Sequence, residues 1–375
     1  AVARSEPSTA PVDLELSVPA VPEQFPLLAE GLARMLRLDV LRSALRPLGA
    51  AGTAEARAIA SAVLARPGWK PDPGRVLFTG SGRQAIAATL GALVPPGGRL
   101  GVEEFTYPVV RATAARLGIT LVPLELDEHG VRPDAIAAAH RIGRLHALYL
   151  QPTLHNPMST TMPTGRRTEL ADAAQAFDLT LVEDAVWSHL SDDSAPPLAA
   201  LAPDRTVFID SLSKRVAPGL TLGFAVPPGH LVDAVAESIR AGAWTAPRFA
   251  FEAAVGWMRD GTVDRVGAAK RADATRRHEA VRDRLSGFRV RTSPDAYMCW
   301  WELPDAWRAD TFVAAAARRG IAVTPGSAFA VRPAAAPNAV RLGLASPSPD
   351  ELTRALATLA DLARTGPDAD QDEMA

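Results

Sequence analysis

The chain has a single cysteine, Cys299, among its 375 residues. One thiol excludes an internal disulfide and any cysteine-based zinc cluster, and it suits a reducing, cytoplasmic setting. Charge is nearly cancelled: 40 Lys and Arg against 42 Asp and Glu give a formal net charge of −2. That balance speaks against nucleic acid or any other polyanion as a partner. No uninterrupted apolar run is long enough to span a bilayer, so no membrane partner is expected. The N-terminus lacks the basic-then-apolar pattern of a secretory leader. Ala1 in place of an initiator Met is what removal of an upstream segment would leave. Tyrosine is scarce too, at three residues, so a tyrosine beside a strand end stands out.

What the chain does have is an alternation of short apolar runs and alanine-rich stretches. Strands are read at residues 75–78, 99–102, 120–123, 147–150, 180–182 and 206–209, with helices at 84–93, 109–117, 133–141 and 164–177. A further strand at 222–225 is a candidate for running against the others. This pattern predicts an α/β fold, a mostly parallel sheet sandwiched by helices. Ligands on such sheets bind outside the carboxyl ends of the strands. A long helix over 263–285 then leads to strands at 288–292, 298–302 and 340–344 and helices at 310–319 and 350–363, a smaller α+β unit. The expected organisation is a 1–48 segment packing on the small unit, a large domain over 49–262 and a small domain over 263–375. Residues 1–15 and the acidic tail 363–375 are expected to be loose.

Several residues capable of chemistry fall at strand ends. Gly80, Ser81, Gly82 and Arg83 stand between a strand and a helix. Small residues there can aim backbone N–H groups at an anion, and a helix N-terminus favours negative charge; the same residues also make an ordinary turn. Tyr107, held by Pro108, is placed to lie on a planar ring or to be a core aromatic. Asn156, before Pro157, is biased to extended backbone, and its amide can donate to an oxygen anion. His155 beside it reads equally as a local hydrogen-bonding partner. Asp184 ends another strand, where a carboxylate is costly unless it meets a cation; Glu183 points to the opposite face by alternation. Ser211, Ser213 and Lys214 lie where the 206–209 strand surfaces, before a Pro218-Gly219 turn. Read as strand, loop, strand, this sets two hydroxyls beside a lysine. Such a lysine, once desolvated, loses its proton and attacks aldehydes, while the hydroxyls can hold an anion. Pyridoxal phosphate (PLP), an aldehyde carrying a phosphate, meets both needs. Arg341, in the small unit, has a guanidinium suited to gripping a carboxylate through two hydrogen bonds or to a structural ion pair.

Taken together these segments resemble the PLP-dependent class I/II aminotransferase family, PLP fold type I, in the branch shared with the effector domains of GntR/MocR-type regulators. The resemblance covers roughly residues 19–362. Residues 211–223 resemble S-x-S-K-x-x-x-P-G-x-R-x-G, residues 152–157 resemble P-x-x-x-N-P, and residues 320–329 resemble G-x-x-x-x-P-G-x-x-F. The resemblance implies that Lys214 forms the aldimine and moves the proton, and that Asp184 holds the ring nitrogen. It implies that Asn156 donates to the ring O3′ and that Tyr107 stacks on the ring. Ser81, Gly82 and Arg83 would form the phosphate turn, with Ser211 and Ser213 adding hydroxyls, and Arg341 would take the substrate α-carboxylate. Amino acid and keto acid substrates and a homodimer with an interface active site are further implications.

The chain departs from the family at three places. Thr221 stands where an arginine reaches the phosphate. Trp187 stands where a tyrosine donates to O3′; an indole N–H can donate, from a different place. Residues 48–52 lack the N-terminal tyrosine that reaches the partner's phosphate. Arg83 is the expected replacement cation, with Arg215 the second candidate. Rival readings are other PLP chemistry (racemisation, elimination or replacement, oxidation) and the ligand-sensing effector domain of a MocR-type regulator.

Overall fold

The structure, a computed structural model, describes residues 10–192 and 194–367. Its large sheet has seven strands: β1 (Leu77–Thr79), β2 (Arg99–Glu103), β3 (Thr120–Leu124), β4 (Ala147–Leu150), β5 (Thr180–Asp184), β6 (Thr206–Ser211) and β7 (Gly223–Val226), in the spatial order β1-β7-β6-β5-β4-β2-β3. The pairs among β2 to β6 are parallel, and β7 runs antiparallel to both β1 and β6. β6 shows why the sheet forms. All six of its residues are buried. Phe208 packs with Phe78, Phe224 and Trp257 on one face, whereas Val207 and Ile209 pack with Val102, Tyr149 and Val182 on the other. A strand covered on both faces reads as a continuous apolar run, as residues 207–209 of β6 do.

A smaller sheet of β8 (Arg289–Thr292), β9 (Met298–Glu302), β10 (Thr324–Pro325) and β11 (Ala339–Gly343) has the order β8-β9-β11-β10. Its core joins Trp301, Phe312, Leu342 and Leu356. Helices with a bearing on the site are α1 (Gln24–Arg34), α2 (Leu38–Ala44), α3 (Gly82–Leu93), α4 (Leu212–Arg215), α5 (Arg248–Arg259), α6 (Thr262–Arg284) and α7 (Pro349–Thr365). Among the described residues, no helix is long and apolar enough to cross a membrane.

Three expectations need correction. The 1–48 segment divides: Val12–Asp13 pairs with Ile321–Ala322 of the small unit, while Leu28 of α1 and the following Met35 join Phe251 and Trp257 in the large-domain core. The described part of residues 1–15 is therefore tied down by strand pairing from Val12, and residues 1–9 lie outside the described residues. Residues 363–365 are not loose, because α7 continues through Thr365 and Ala363 is buried; residues 368–375 lie outside the described residues. The segment after β6 is a short helix, α4, rather than a loop. Ser211 caps it by accepting the Ser213 N–H, a preferred role for serine.

Candidate active site

β6 ends at Ser211, and the α4 turn presents Lys214. Lys214 Nζ donates to the carbonyl oxygen of Ser17 at 2.5 Å and lies 4.8 Å from the centroid of the Trp187 ring. Burial, and then the charges of Arg83, Arg341 and Lys270, lower its pKa to about 7. A lysine in that range holds a substantial neutral fraction near pH 7, the state needed for nucleophilic and base work. Trp187 is itself buried, packed with Leu154, Tyr297 and Met298.

The turn expected to take a phosphate is built where α3 begins. Ser81 caps the helix through its hydroxyl, which accepts the Gln84 N–H. A Cβ on Gly82 would meet Ser211 Oγ at 3.1 Å, so glycine lets the α3 turn approach the end of β6. From Ser211 a chain of hydroxyls runs to Ser213 at 2.9 Å and on to Thr221 at 2.8 Å. Thr221 thus joins the hydroxyl row at the position where the family has arginine. Arg83 Nε donates to the Tyr107 hydroxyl at 3.0 Å. Arg215 is turned elsewhere: it and Arg66 share the fully buried Asp210 carboxylate at 2.8 and 2.7 Å. Arg215 is therefore committed to a structural pair, and Arg83 remains as the nearby cation.

Asp184 and Glu183 lie on opposite faces of β5. Glu183 accepts from the Ala199 N–H, whereas Asp184 Oδ2 accepts from the Tyr149 hydroxyl at 2.5 Å and from Gln151 Nε2 at 3.1 Å. Burial raises the Asp184 pKa against the lowering effect of these donors. Asn156 donates its backbone N–H to Gln151 Oε1, and its side-chain Oδ1 is buried without a partner. Arg341, in β11, is buried and donates to the Glu15 carbonyl at 2.6 Å and to Ser17 Oγ at 3.2 Å, with Nε left unpartnered. Its guanidinium stands 5.2 Å from the Phe329 ring centroid. Tyr107 feels the charges of Arg83, Asp184 and Arg341, so groups at strand ends far apart in sequence come near one another. Two clefts, of about 560 and 270 Å³, share Arg66 and Ser188 and do not include Lys214.

Reading the sequence missed Tyr149, Gln151, Ser17 and Lys270. Lys270, in α6, is fully buried and donates to the carbonyls of Lys214 and Val216 at 3.0 and 2.6 Å. Tyr149 had a signal: it is one of three tyrosines, on a strand, two residues before Gln151 and so on the same face. Ser17 had none, since its contact with Lys214 spans 197 residues.

The sequence profile of the family aminotransferase class I and II matches residues 47–359. The chain belongs to that family. Its fold is shared with an archaeal alanine:glyoxylate aminotransferase, at 23% identity over 94% of this chain and 90% of that one, with a TM-score of 0.86. It is shared too with LysN, an α-aminoadipate aminotransferase of Thermus thermophilus solved with N-(5′-phosphopyridoxyl)-L-leucine, at 22% identity over 93% and 91% of the chains and a TM-score of 0.83. In sequence the chain is similar to the HTH-type transcriptional regulator YdeF of Bacillus subtilis, 28% identical over 79% of this chain and 64% of that protein. It is also similar to an aromatic amino acid aminotransferase of Schizosaccharomyces pombe, 28% identical over 38% of this chain and 36% of that one. The chain thus spans less than two thirds of the length of these sequence relatives. Family membership implies pyridoxal phosphate. The residues present here fit it: a lysine with a lowered pKa, a buried carboxylate with no cation on it, and a hydroxyl row against a helix N-terminus.

Proposed function

We propose that this chain is a PLP-dependent aminotransferase that moves an amino group between an α-amino acid and a keto acid. The observation that carries the reading is the part-buried Lys214 amine, whose pKa is lowered to about 7 by burial and by the charges of Arg83 and Arg341, and which lies 4.8 Å from the Trp187 ring centroid at the end of β6. Pyridoxal phosphate, when bound, supplies an aldehyde for that amine and a ring that accepts electrons. The α3 turn at Ser81, Gly82 and Arg83, with Ser211, Ser213 and Thr221, would hold its phosphate. Asp184 would balance a protonated ring nitrogen, Asn156 would face the ring oxygen, and Tyr107 and Trp187 would border the ring. Arg341 would orient the substrate carboxylate, for which its unpartnered Nε is available once residues 15–17 yield. Neutral Lys214 would then take the proton from the substrate Cα and return it to the carbon that had been the cofactor's aldehyde, on the far side of the nitrogen.

The test is to add amino acids singly to the PLP-loaded protein and to assay pyridoxamine phosphate. Its donor-dependent appearance is the expected result. A racemised, eliminated or oxidised product without pyridoxamine phosphate would point to different chemistry at the same amine. Homodimerisation is part of the reading. It is supported by Leu36, Leu38 and Leu45, which are 76%, 73% and 86% exposed along one short stretch.

A second reading is the effector domain of a MocR-type regulator. It is favoured by YdeF and by TauR of Rhodobacter capsulatus, of which this chain spans 64% and 62%. A full reading frame encoding a helix-turn-helix segment ahead of Ala1, together with binding of PLP without pyridoxamine phosphate formation, would favour it over catalysis.

A further inference from the structure

Asp184 is held by more than its own strand. Its Oδ1 accepts the Val186 N–H at 3.1 Å, and its Oδ2 takes both Tyr149 and Gln151. Gln151 Nε2 also donates to the Tyr149 oxygen at 3.1 Å. The orientation of the Gln151 amide is fixed by its other end. Its Oε1 accepts the Asn156 N–H at 3.0 Å, and a backbone N–H can only donate, so the NH₂ end must face Asp184. The Gln151 N–H is in turn anchored on Glu103 Oε1 at 2.7 Å. One side chain therefore bridges the carboxylate proposed for one edge of the cofactor ring and the peptide of the asparagine proposed for its oxygen.

We propose that Gln151 and Tyr149 are positioning residues for the reaction: they fix the Asp184 carboxylate and lock it to the backbone of Asn156, so that both ring-holding groups are set as one unit. This inference rests on the PLP reading of the site. The need for such a device follows from burial. Asp184 is 3% exposed, and a carboxylate out of water stays ionised only if donors surround it. Tyr149 is pushed well above the ordinary phenol range, chiefly by burial and by the Asp184 charge, so it stays a donor. The other titratable groups around Asp184 are Glu103, Tyr107 and Asp210. Burial lifts Glu103 to about 8, which favours its protonated form near pH 7, and its other oxygen lies 3.7 Å from His155 Nε2. Asp210 is occupied by Arg66 and Arg215.

The experiment uses the full chain, freed of cofactor and titrated with PLP. It reads the dissociation constant and the pH midpoint of the absorbance band of the loaded protein. Tyr149→Phe keeps the ring in the core and is expected to weaken PLP binding about tenfold and to move the midpoint, with the melting temperature of the cofactor-free protein little changed. Gln151→Leu is expected to do more. Within Asp184→Asn protein, Tyr149→Phe should change affinity less than about twofold, because the group it acts through is already neutral. A Tyr149→Phe protein with wild-type affinity and midpoint overturns the inference, as does an equal loss in both backgrounds. Wild-type protein that forms no absorbance band overturns the PLP reading and this inference with it. A wild-type band unaltered in the variants overturns the inference alone.

Discussion

At the scale of single residues, the site is governed by what burial does to charge. Lys214 and Lys270 are both lowered to about 7 by burial. The consequence for stability has a definite sign. In the unfolded chain each lysine keeps its proton to about 10.4, whereas the folded chain releases it near 7. Between those values unfolding takes up protons, so the stability of the cofactor-free protein rises with pH from about 7 to about 10, and the full burial cost is present below 7. Lys270→Met should flatten that rise while leaving the Lys214 share, measured by urea unfolding at several pH values. An unchanged slope would mean that Lys270 titrates normally. The Asp210 carboxylate is a second case. It is 0% exposed and shared by Arg66 and Arg215. Asp210→Ala leaves the buried Arg215 and the part-buried Arg66 without their shared carboxylate, and a loss of about 3–5 kcal/mol in unfolding free energy is expected. Tyr149 shows what can be read at this scale. Its scarcity and strand position were visible in the sequence, but its partner Asp184 sits on a neighbouring strand, and only pairing of β4 with β5 brings the two together.

At the scale of elements, the Lys214 turn is suspended between pieces of both units. α6 reaches it through Lys270, and the N-terminal segment reaches it through Ser17. That segment needs close approach: Gly343 donates its N–H to the Leu14 carbonyl at 2.6 Å, and a Cβ at 343 would come within 2.5 Å of the Leu16 carbonyl. Gly343→Ala should push residues 12–17 off the sheet edge at a cost of about 1–3 kcal/mol. Faster limited proteolysis before Gln24 is the measurement, and unaltered cleavage would show that the edge accommodates the methyl. The capping of α7 has a local pattern that the reading of the sequence passed over, Ser348-Pro-Asp-Glu351, which the structure completes as a reciprocal capping box. The α4 turn was less legible. Four residues are too few for a helical period to show, and the capping serine reads equally as a loop hydroxyl.

For the whole molecule, the outstanding surface feature is apolar exposure around α1 and α2. Phe25, Leu36, Leu38 and Leu45 are each more than 60% exposed, although α1 and α2 otherwise pack on α5. Under the proposed homodimer these side chains lie in the subunit contact. Leu38→Glu with Leu45→Glu should raise the dimer dissociation constant about tenfold or more, read by sedimentation equilibrium. Identical sedimentation of variant and wild type would remove this surface from the contact. Nothing in the sequence pattern marked this stretch for exposure, because its leucines have the spacing that core helices also use.

The sequence by itself determined the alternation of strands and helices and the places where an amine, a carboxylate, hydroxyls and a guanidinium meet strand ends. These follow from local geometry, since a strand repeats every two residues and a helix every 3.6. Tertiary structure decided which of these groups touch. It split the N-terminal segment between the two units, committed Arg215 to Asp210, set Thr221 in the hydroxyl row, and laid Ser17 against Lys214 and Arg341. Those contacts depend on how layers pack across hundreds of residues, and no local period encodes them.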